Sequence, residues 1–321
     1  MIARKLVNLL SNRVIFLLML LLIVIIVMSL ISPYFFNWDS LMTMTRLGAA
    51  LALIGLGESL IILSGGAGID LSIGSIMSIS GVLLGFMVRG GINDWIAAVF
   101  TVLIGGLLGS INGVTVALWG IPPLIGTLGS MYTYGALALV MTKGIPVSGF
   151  SEDFYFLANG KILGIPTQIA IIVLPVFLIL LFVTTKTSFG RGIYLAGVNE
   201  EAAQYAGIQV KKTRYILYTL NGILAGLAAI IMSSWFMASR PDVGSGMEMR
   251  AITVAVLGGI HIFGGVGNLF GTLLAVILVT MIASGLQLAN INTIWQLGVL
   301  GFILLMSVAL NELFMKSQNK S

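Results

Sequence analysis

Apolar residues fall along this chain in long, nearly unbroken runs, and charged residues are almost confined to the intervals between them. Roughly 20 apolar residues are enough for a helix to cross the hydrocarbon of a bilayer. On that measure the pattern predicts segments at 14–32, 47–64, 71–88, 95–118, 122–142, 166–184, 214–236, 249–262, 266–287 and 292–311. The expected fold is an all-α membrane protein, a polytopic helical bundle of about ten transmembrane segments in a single domain over 1–321. The eighth segment is short for a full span and is read as a half-helix or re-entrant element, which survives only where protein surrounds it. The fourth is long enough to tilt or kink. The first follows Arg4, Lys5 and Arg13, and Ser32-Pro33-Tyr34-Phe35-Phe36 stands where a cleavable leader needs small residues, so it reads as an uncleaved span.

Composition agrees. The chain is 58% hydrophobic and 8% charged, where a soluble domain carries about 25% charged residues. Such a chain in water would expose large apolar patches and aggregate. With no cysteine, disulfides and Cys-based metal or redox chemistry are excluded, and the single histidine, His261, leaves little for a His-based site. No metal and no cofactor is expected. The net charge of +5 is spread thinly and predicts no nucleic-acid partner. Distributed over an even number of spans, one side collects Arg4, Lys5, Arg13, Lys186, Arg191, Lys211, Lys212, Arg214, Lys316 and Lys320. The other side collects Arg46, Arg89, Lys143, Lys161, Arg240 and Arg250. The richer side is the cytoplasmic one by the positive-inside bias, so both termini are expected there.

Between the sixth and seventh segments lies the largest cytoplasmic loop, 185–213. Within it Asn199 is an N-cap candidate, Glu200 and Glu201 suit the positive first turn, and Gly207 suits a left-handed stop. Ala202, Ala203 and Ala206 would give a shallow face, either of an ordinary connecting helix or of a knob that docks a soluble partner. No GxxxxGK[ST] sequence occurs, so the chain has no visible means of using ATP itself.

Polar residues inside the spans are costly and mark sites or interhelical bonds. Glu58 is either a functional acid or a protonated structural one. Asp70 is read first as a cap for the third segment and second as a substrate contact, and Ser72 follows it. Asn112 and Asn221 are read first as interhelical hydrogen-bonding groups. Together Glu58, Asp70, Ser72, Asn112 and Asn221 are the translocation-pathway candidates. Gly105, Gly106, Gly109 and Gly113 predict a tight helix crossing, and Phe35, Phe36 and Trp38 an interfacial aromatic group. On the outer side Arg240, Asp242, Glu248 and Arg250 flank Gly244 and Gly246 as docking candidates for a partner, or as a solvated loop. A faint internal echo pairs Gly65-Gly66 before Ile69-Asp70 with Gly258-Gly259 before Ile260-His261.

Three ordered motifs carry a resemblance. Thr187-Ser188-Phe189-Gly190-Arg191 with Gly197-Val198-Asn199-Glu200-Glu201-Ala202-Ala203 and Gly207-Ile208 forms the first. Ser64-Gly65-Gly66-Ala67-Gly68-Ile69-Asp70-Leu71-Ser72-Ile73-Gly74-Ser75 forms the second. Ala251-Ile252-Thr253, Val256-Leu257-Gly258-Gly259, Gly264-Gly265-Val266-Gly267 and Gly271-Thr272 form the third. In these the chain resembles the permeases of ribose-type ABC sugar importers, from about Ser32 to Leu310. The resemblance implies a transport subunit rather than an enzyme, in the bacterial cytoplasmic membrane. It implies a separate ATPase that contacts a coupling helix at Asn199, Glu200, Glu201, Ala202, Ala203 and Gly207. It further implies a substrate-binding protein outside, a second permease copy or paralogue, and lipid around the dimer. Ser239-Arg240-Pro241-Asp242 looks more like the rhamnose and autoinducer-2 branch. A proton- or ion-coupled secondary transporter using Glu58, and a membrane protein without transport activity, remain as alternatives.

Overall fold

A computed structural model describes residues 13–292 and Trp295, Gly298, Val299, Gly301, Phe302 and Leu305. The tenth expected segment, 292–311, lies largely outside the described residues.

In chain order the elements are α1 (Arg13–Ile31), α2 (Trp38–Leu63), α3 (Ile73–Arg89), α4 (Asp94–Gly113), α5 (Pro123–Thr142), β1 (Val147–Ser148), α6 (Glu152–Asn159), β2 (Lys161–Ile162), β3 (Ile165–Pro166), α7 (Leu174–Lys186), α8 (Ser188–Val198), α9 (Glu200–Tyr205), α10 (Val210–Phe236), β4 (Ala238–Ser239), α11 (Met247–Leu257) and α12 (Leu269–Leu288). The strands form two small antiparallel pairs, Val147↔Ser239 with Ser148↔Ala238, and Lys161↔Pro166 with Ile162↔Ile165. The long fourth segment does not end as a plain helix. It widens into a π turn, Val114–Leu118, and a second π turn, Ile169–Val173, opens α7.

Among the described residues seven helices are long and apolar enough to cross a membrane: Val14–Ile31, Trp38–Leu63, Asp94–Leu118, Pro123–Thr142, Ile169–Lys186, Val210–Phe236 and Leu269–Leu288. Two are shorter. The eighth expected segment is indeed a short helix, α11. The third, expected as a full span, begins only at Ile73 and is also short.

Side-chain size sorts the layers. α2 carries Gly48, Ala49, Ala50, Ala52, Gly55 and Gly57, lets neighbours close in, and runs through the middle of the bundle. α1 is built from Leu, Ile, Val, Met and Phe and turns most of that surface outward. Lipid tails are as apolar as leucine, so nothing drives α1 inward; small residues decide which helices meet. α4 and α10 meet most closely. A Cβ on Gly105 or Gly109 would strike the backbone of Gly222, and one on Gly226 the backbone of Thr101. The expected glycine seam on α4 is therefore real, and its partner is Gly222 and Gly226.

α2 begins at Trp38, well before the expected segment, because Arg46, the charge next to that segment, is satisfied by the protein. Arg46 Nε donates to the Ala158 carbonyl at 3.1 Å, and its guanidinium lies over Trp235. Of the expected interfacial aromatics, Phe36 and Trp38 are exposed, with Lys161 Nζ 4.3 Å from the Trp38 ring centroid, but Phe35 is fully buried. Phe35 therefore belongs to the core.

The two short helices organise the centre. α2 ends at Leu63, and residues 64–72 break and fold back before α3 starts. α10 ends at Phe236, and residues 237–246 break and fold back before α11 starts. The first break lies at one end of the bundle, where Gly265 N–H donates to the Leu63 carbonyl at 3.0 Å. The second lies at the opposite end, beside β1 and Gly85 of α3. The starts of the two half-helices meet between these ends: Gly74 and Gly244 touch backbone to backbone, and Gly244 N–H donates to Ser78 Oγ at 3.0 Å. This helix–break–half-helix unit, used twice in opposite directions, is the geometry of inverted repeats. The expected glycine echo pairs the wrong positions. Gly65 precedes a half-helix and Gly258 follows one, and both loops lie at the same end, with Gly264 against Gly65.

Candidate functional site

The break after α2 would leave backbone donors bare at membrane depth unless side chains reached them. Glu58 and Thr127 do so. Asp70 N–H donates to Glu58 Oε1 at 3.0 Å, and Leu71 N–H donates to Thr127 Oγ1 at 3.1 Å. Asp70 Oδ1 then accepts from Ser72 N–H at 2.9 Å and from Ser72 Oγ–H at 2.6 Å. Its Oδ2 accepts from Asn221 Nδ2 on α10 at 3.1 Å. Asn112 Nδ2 on α4 donates to Ser72 Oγ at 2.6 Å, and Ser130 Oγ on α5 donates to Asn112 Oδ1 at 2.6 Å.

All five pathway candidates, Glu58, Asp70, Ser72, Asn112 and Asn221, therefore belong to one cluster, and each is fully buried. Asp70 does not cap α3 directly, as the sequence suggested. Ser72 holds the N-cap position, and Asp70 closes the turn that delivers it. Sequence reading missed Thr127 and Ser130. A signal existed: Thr127, Ser130 and Tyr134 recur at helical spacing on α5, opposite outward-facing Leu124, Ile125 and Tyr132. Glu58 also meets the Asn221 side chain, which joins the two halves of the cluster.

At the end of the bundle bearing the first break, Asn199 has extended backbone (φ −156°, ψ 108°) and its side chain accepts from Ala202 N–H at 2.9 Å, so it caps α9 as expected. Gly207, at φ 83°, stops it. Glu200, Glu201, Ala202 and Gly207 are exposed or nearly so. Ala203 is not part of an outer face: it is buried against Ala196, Ile208 and Val210 and pins the helix to the loop. The apolar surface here comes instead from Tyr205, Val198 and Leu195, exposed to 92%, 70% and 51%. Asn199→Ala removes the cap and loosens α9 by about 1 kcal/mol. Amide exchange at Ala203 to Gly207 then runs about five-fold faster with the other helices unchanged.

At the opposite end Arg240 and Asp242 pair through two hydrogen bonds, Nε to Oδ1 at 3.2 Å and Nη2 to Oδ2 at 3.0 Å. That guanidinium holds the Asp242 carboxyl below its usual range. Glu248 and Arg250 are half-buried. Glu248 lies beside Gly74 at the start of α3, and Arg250 lines a cavity of about 110 Å³ with Met232, Val243, Met247 and Val279. The four docking candidates thus divide: Arg240 and Asp242 on the surface, Glu248 against the start of α3, and Arg250 in a cavity between α2 and α12. Among the described residues no group of three or more His, Cys, Asp or Glu is placed to hold a metal.

Compared with known proteins, residues 40–308 match the family described as branched-chain amino acid transport system / permease component. The chain is 36% identical over 289 residues to the D-allose transport system permease protein AlsC of Escherichia coli (strain K12), covering 90% of this chain and 88% of that one. It is 36% identical over 287 residues to the ribose import permease protein RbsC of Bacillus subtilis (strain 168), covering 89% and 88%. It is 36% identical over 267 residues to the autoinducer 2 import system permease protein LsrD of Enterobacter sp. (strain 638), covering 81% of each. No solved structure matches.

Proposed function

We propose, from the premise that the chain belongs to the family of branched-chain amino acid transport system permease components, that it is the membrane-spanning subunit of an ABC importer for a sugar or sugar-like molecule. The family description names amino acids, but the relatives aligned over most of their length are permeases for allose, ribose and autoinducer 2. Those are small polyhydroxylated molecules, and they support the same substrate class here. The protein is a multi-pass inner-membrane transport subunit. In the proposed assembly ATP is hydrolysed on a separate subunit, a binding protein delivers substrate to the outer face, and a second permease copy or paralogue completes the pathway. Both termini are cytoplasmic, by the positive-inside bias of the loops.

The single observation that carries this reading is α9. A capped helix stands at the surface with Tyr205 and Val198 projecting beside it, and exposed apolar side chains outside the spans suit a protein contact. Closure of the ATPase on ATP would push this element. The half-helices α3 and α11, which meet at Gly74 and Gly244, suit a pathway that opens first to one side and then to the other.

The test is Tyr205→Asp. Buried tyrosines are frequent anchors at interfaces, and losing one costs at least about 2 kcal/mol. Recovery of the ATPase with the purified permease falls about 30-fold, with permease yield unchanged. Full recovery and full uptake in the variant contradict the coupling role of this helix.

A further inference from the structure

We propose that Arg214 is the positioning residue that ties the coupling helix to the break after α2; this rests on the importer reading above. Arg214 lies in the second turn of α10. Its Nη2 is 2.8 Å from Glu200 Oε2 on α9 and donates to the Ser64 carbonyl at 3.2 Å. Nη2 carries two hydrogens, so one nitrogen serves both acceptors. The guanidinium packs flat against Gly66, where an added Cβ would meet its carbon and nitrogen atoms. Ser64 is the C-cap of α2, where free carbonyls and the negative helix end favour a cation.

A second contact follows the same route. Gly197, near the end of α8 and two residues before the α9 cap, packs against the Leu63 carbonyl, Gly65 and Gly265, with no room for a Cβ. The element that the ATPase would push therefore touches the break twice, once by packing and once through Arg214. From Ser64 the chain turns back through Gly65, Gly66 and Ala67 to Asp70, whose amide bonds Glu58 and whose carboxylate gathers Ser72 and Asn221. A displacement of α9 then drags the turn that holds the buried cluster. An isolated exposed ion pair would carry little of this, being weak and screened. The tie differs because its third member is a backbone carbonyl, with the Arg214 side chain only 16% exposed.

The experiment uses the complete transporter, this chain with its ATPase and binding protein, in proteoliposomes with ATP and labelled D-ribose, D-allose or autoinducer 2 as probes. Molecules imported per ATP hydrolysed is the readout, with amide exchange at Gly65 and Gly68 beside it. Arg214→Met keeps bulk and loses charge. ATPase recovery and hydrolysis stay within about two-fold of wild type. Import per ATP falls about ten-fold, and the loop amides exchange faster by a similar factor. Arg214→Lys, which keeps a charge and donors, restores at least half of the lost ratio. Four results overturn the proposal: an unchanged ratio in Arg214→Met, unchanged exchange at the loop, equal damage by Met and Lys, or loss of the ATPase itself. Failure of the importer reading is distinct, because wild type would then show no ATP-dependent import of any probe.

Discussion

Gly222→Leu leaves no transport-competent protein in the membrane. Gly222 and Gly226 on α10 lie against Gly105 and Gly109 on α4 at backbone distance, and the Gly222 side would press into the Gly105 carbonyl. A leucine cannot escape by a rotamer change, because its Cβ already collides with main chain rather than with a flexible side chain. The helices must separate, and overpacking of this kind costs up to about 3 kcal/mol or more. Lipid offers no compensating hydrophobic drive to hold them together. α10 also supplies Asn221 to the buried cluster, so separation takes that hydrogen bond with it. The expected result is a several-fold drop in folded yield in mild detergent and no measurable uptake. Gly129→Ala on α5 is the control: nothing lies within 4 Å of its added Cβ. It should express and transport like wild type.

Asp70→Ala abolishes uptake, while Glu58→Gln does not. Removing the Asp70 carboxylate strands three buried donors: Ser72 N–H, Ser72 Oγ–H and Asn221 Nδ2. Each unsatisfied buried group costs about 1–3 kcal/mol. A break that small side chains were holding loosens, and with it the start of α3. Uptake falls at least about 100-fold, equivalent to about 2.7 kcal/mol. Glu58 plays a different part. It accepts from Asp70 N–H and meets the Asn221 side chain, and the amide of glutamine keeps the acceptor and offers N–H donors in place of the acid's proton. Glu58→Gln keeps uptake within about three-fold, and Glu58→Ala, which orphans the Asp70 amide, does not. Uptake measured in membrane vesicles decides this. Loss of transport in Glu58→Gln alone would mean that the acid's proton is used, which is the chemistry of a coupled secondary transporter.

Much of this was legible in the sequence because lipid simplifies the problem. A run such as Val14–Ile31 has one physical solution, a helix, and the cap–acid–stop order at Asn199, Glu200 and Gly207 appears as read. The five polar residues singled out for their cost in the membrane all converge on one cluster. Re-entry was foreseen at the eighth segment and escaped at the third. A window of roughly 20 residues sees hydrophobicity and not direction. It therefore left 65–70 as a plain connection between two spans and paired two glycine loops that belong to the same end. Thr127 and Ser130 escaped because a hydroxyl costs little to bury when it bonds its own helix, as both do at Pro123 and Gly126. Ala203 was assigned outward because composition says nothing of which side of a six-residue helix faces the loop.

The most direct test of the central claim, that an ATPase drives this bundle through α9, is import into proteoliposomes holding the chain with its ATPase and binding protein. The expected result is accumulation of D-ribose, D-allose or autoinducer 2 that requires ATP, persists with a protonophore present, and fails in Tyr205→Asp. Accumulation without the ATPase that collapses when the proton gradient is discharged would contradict it.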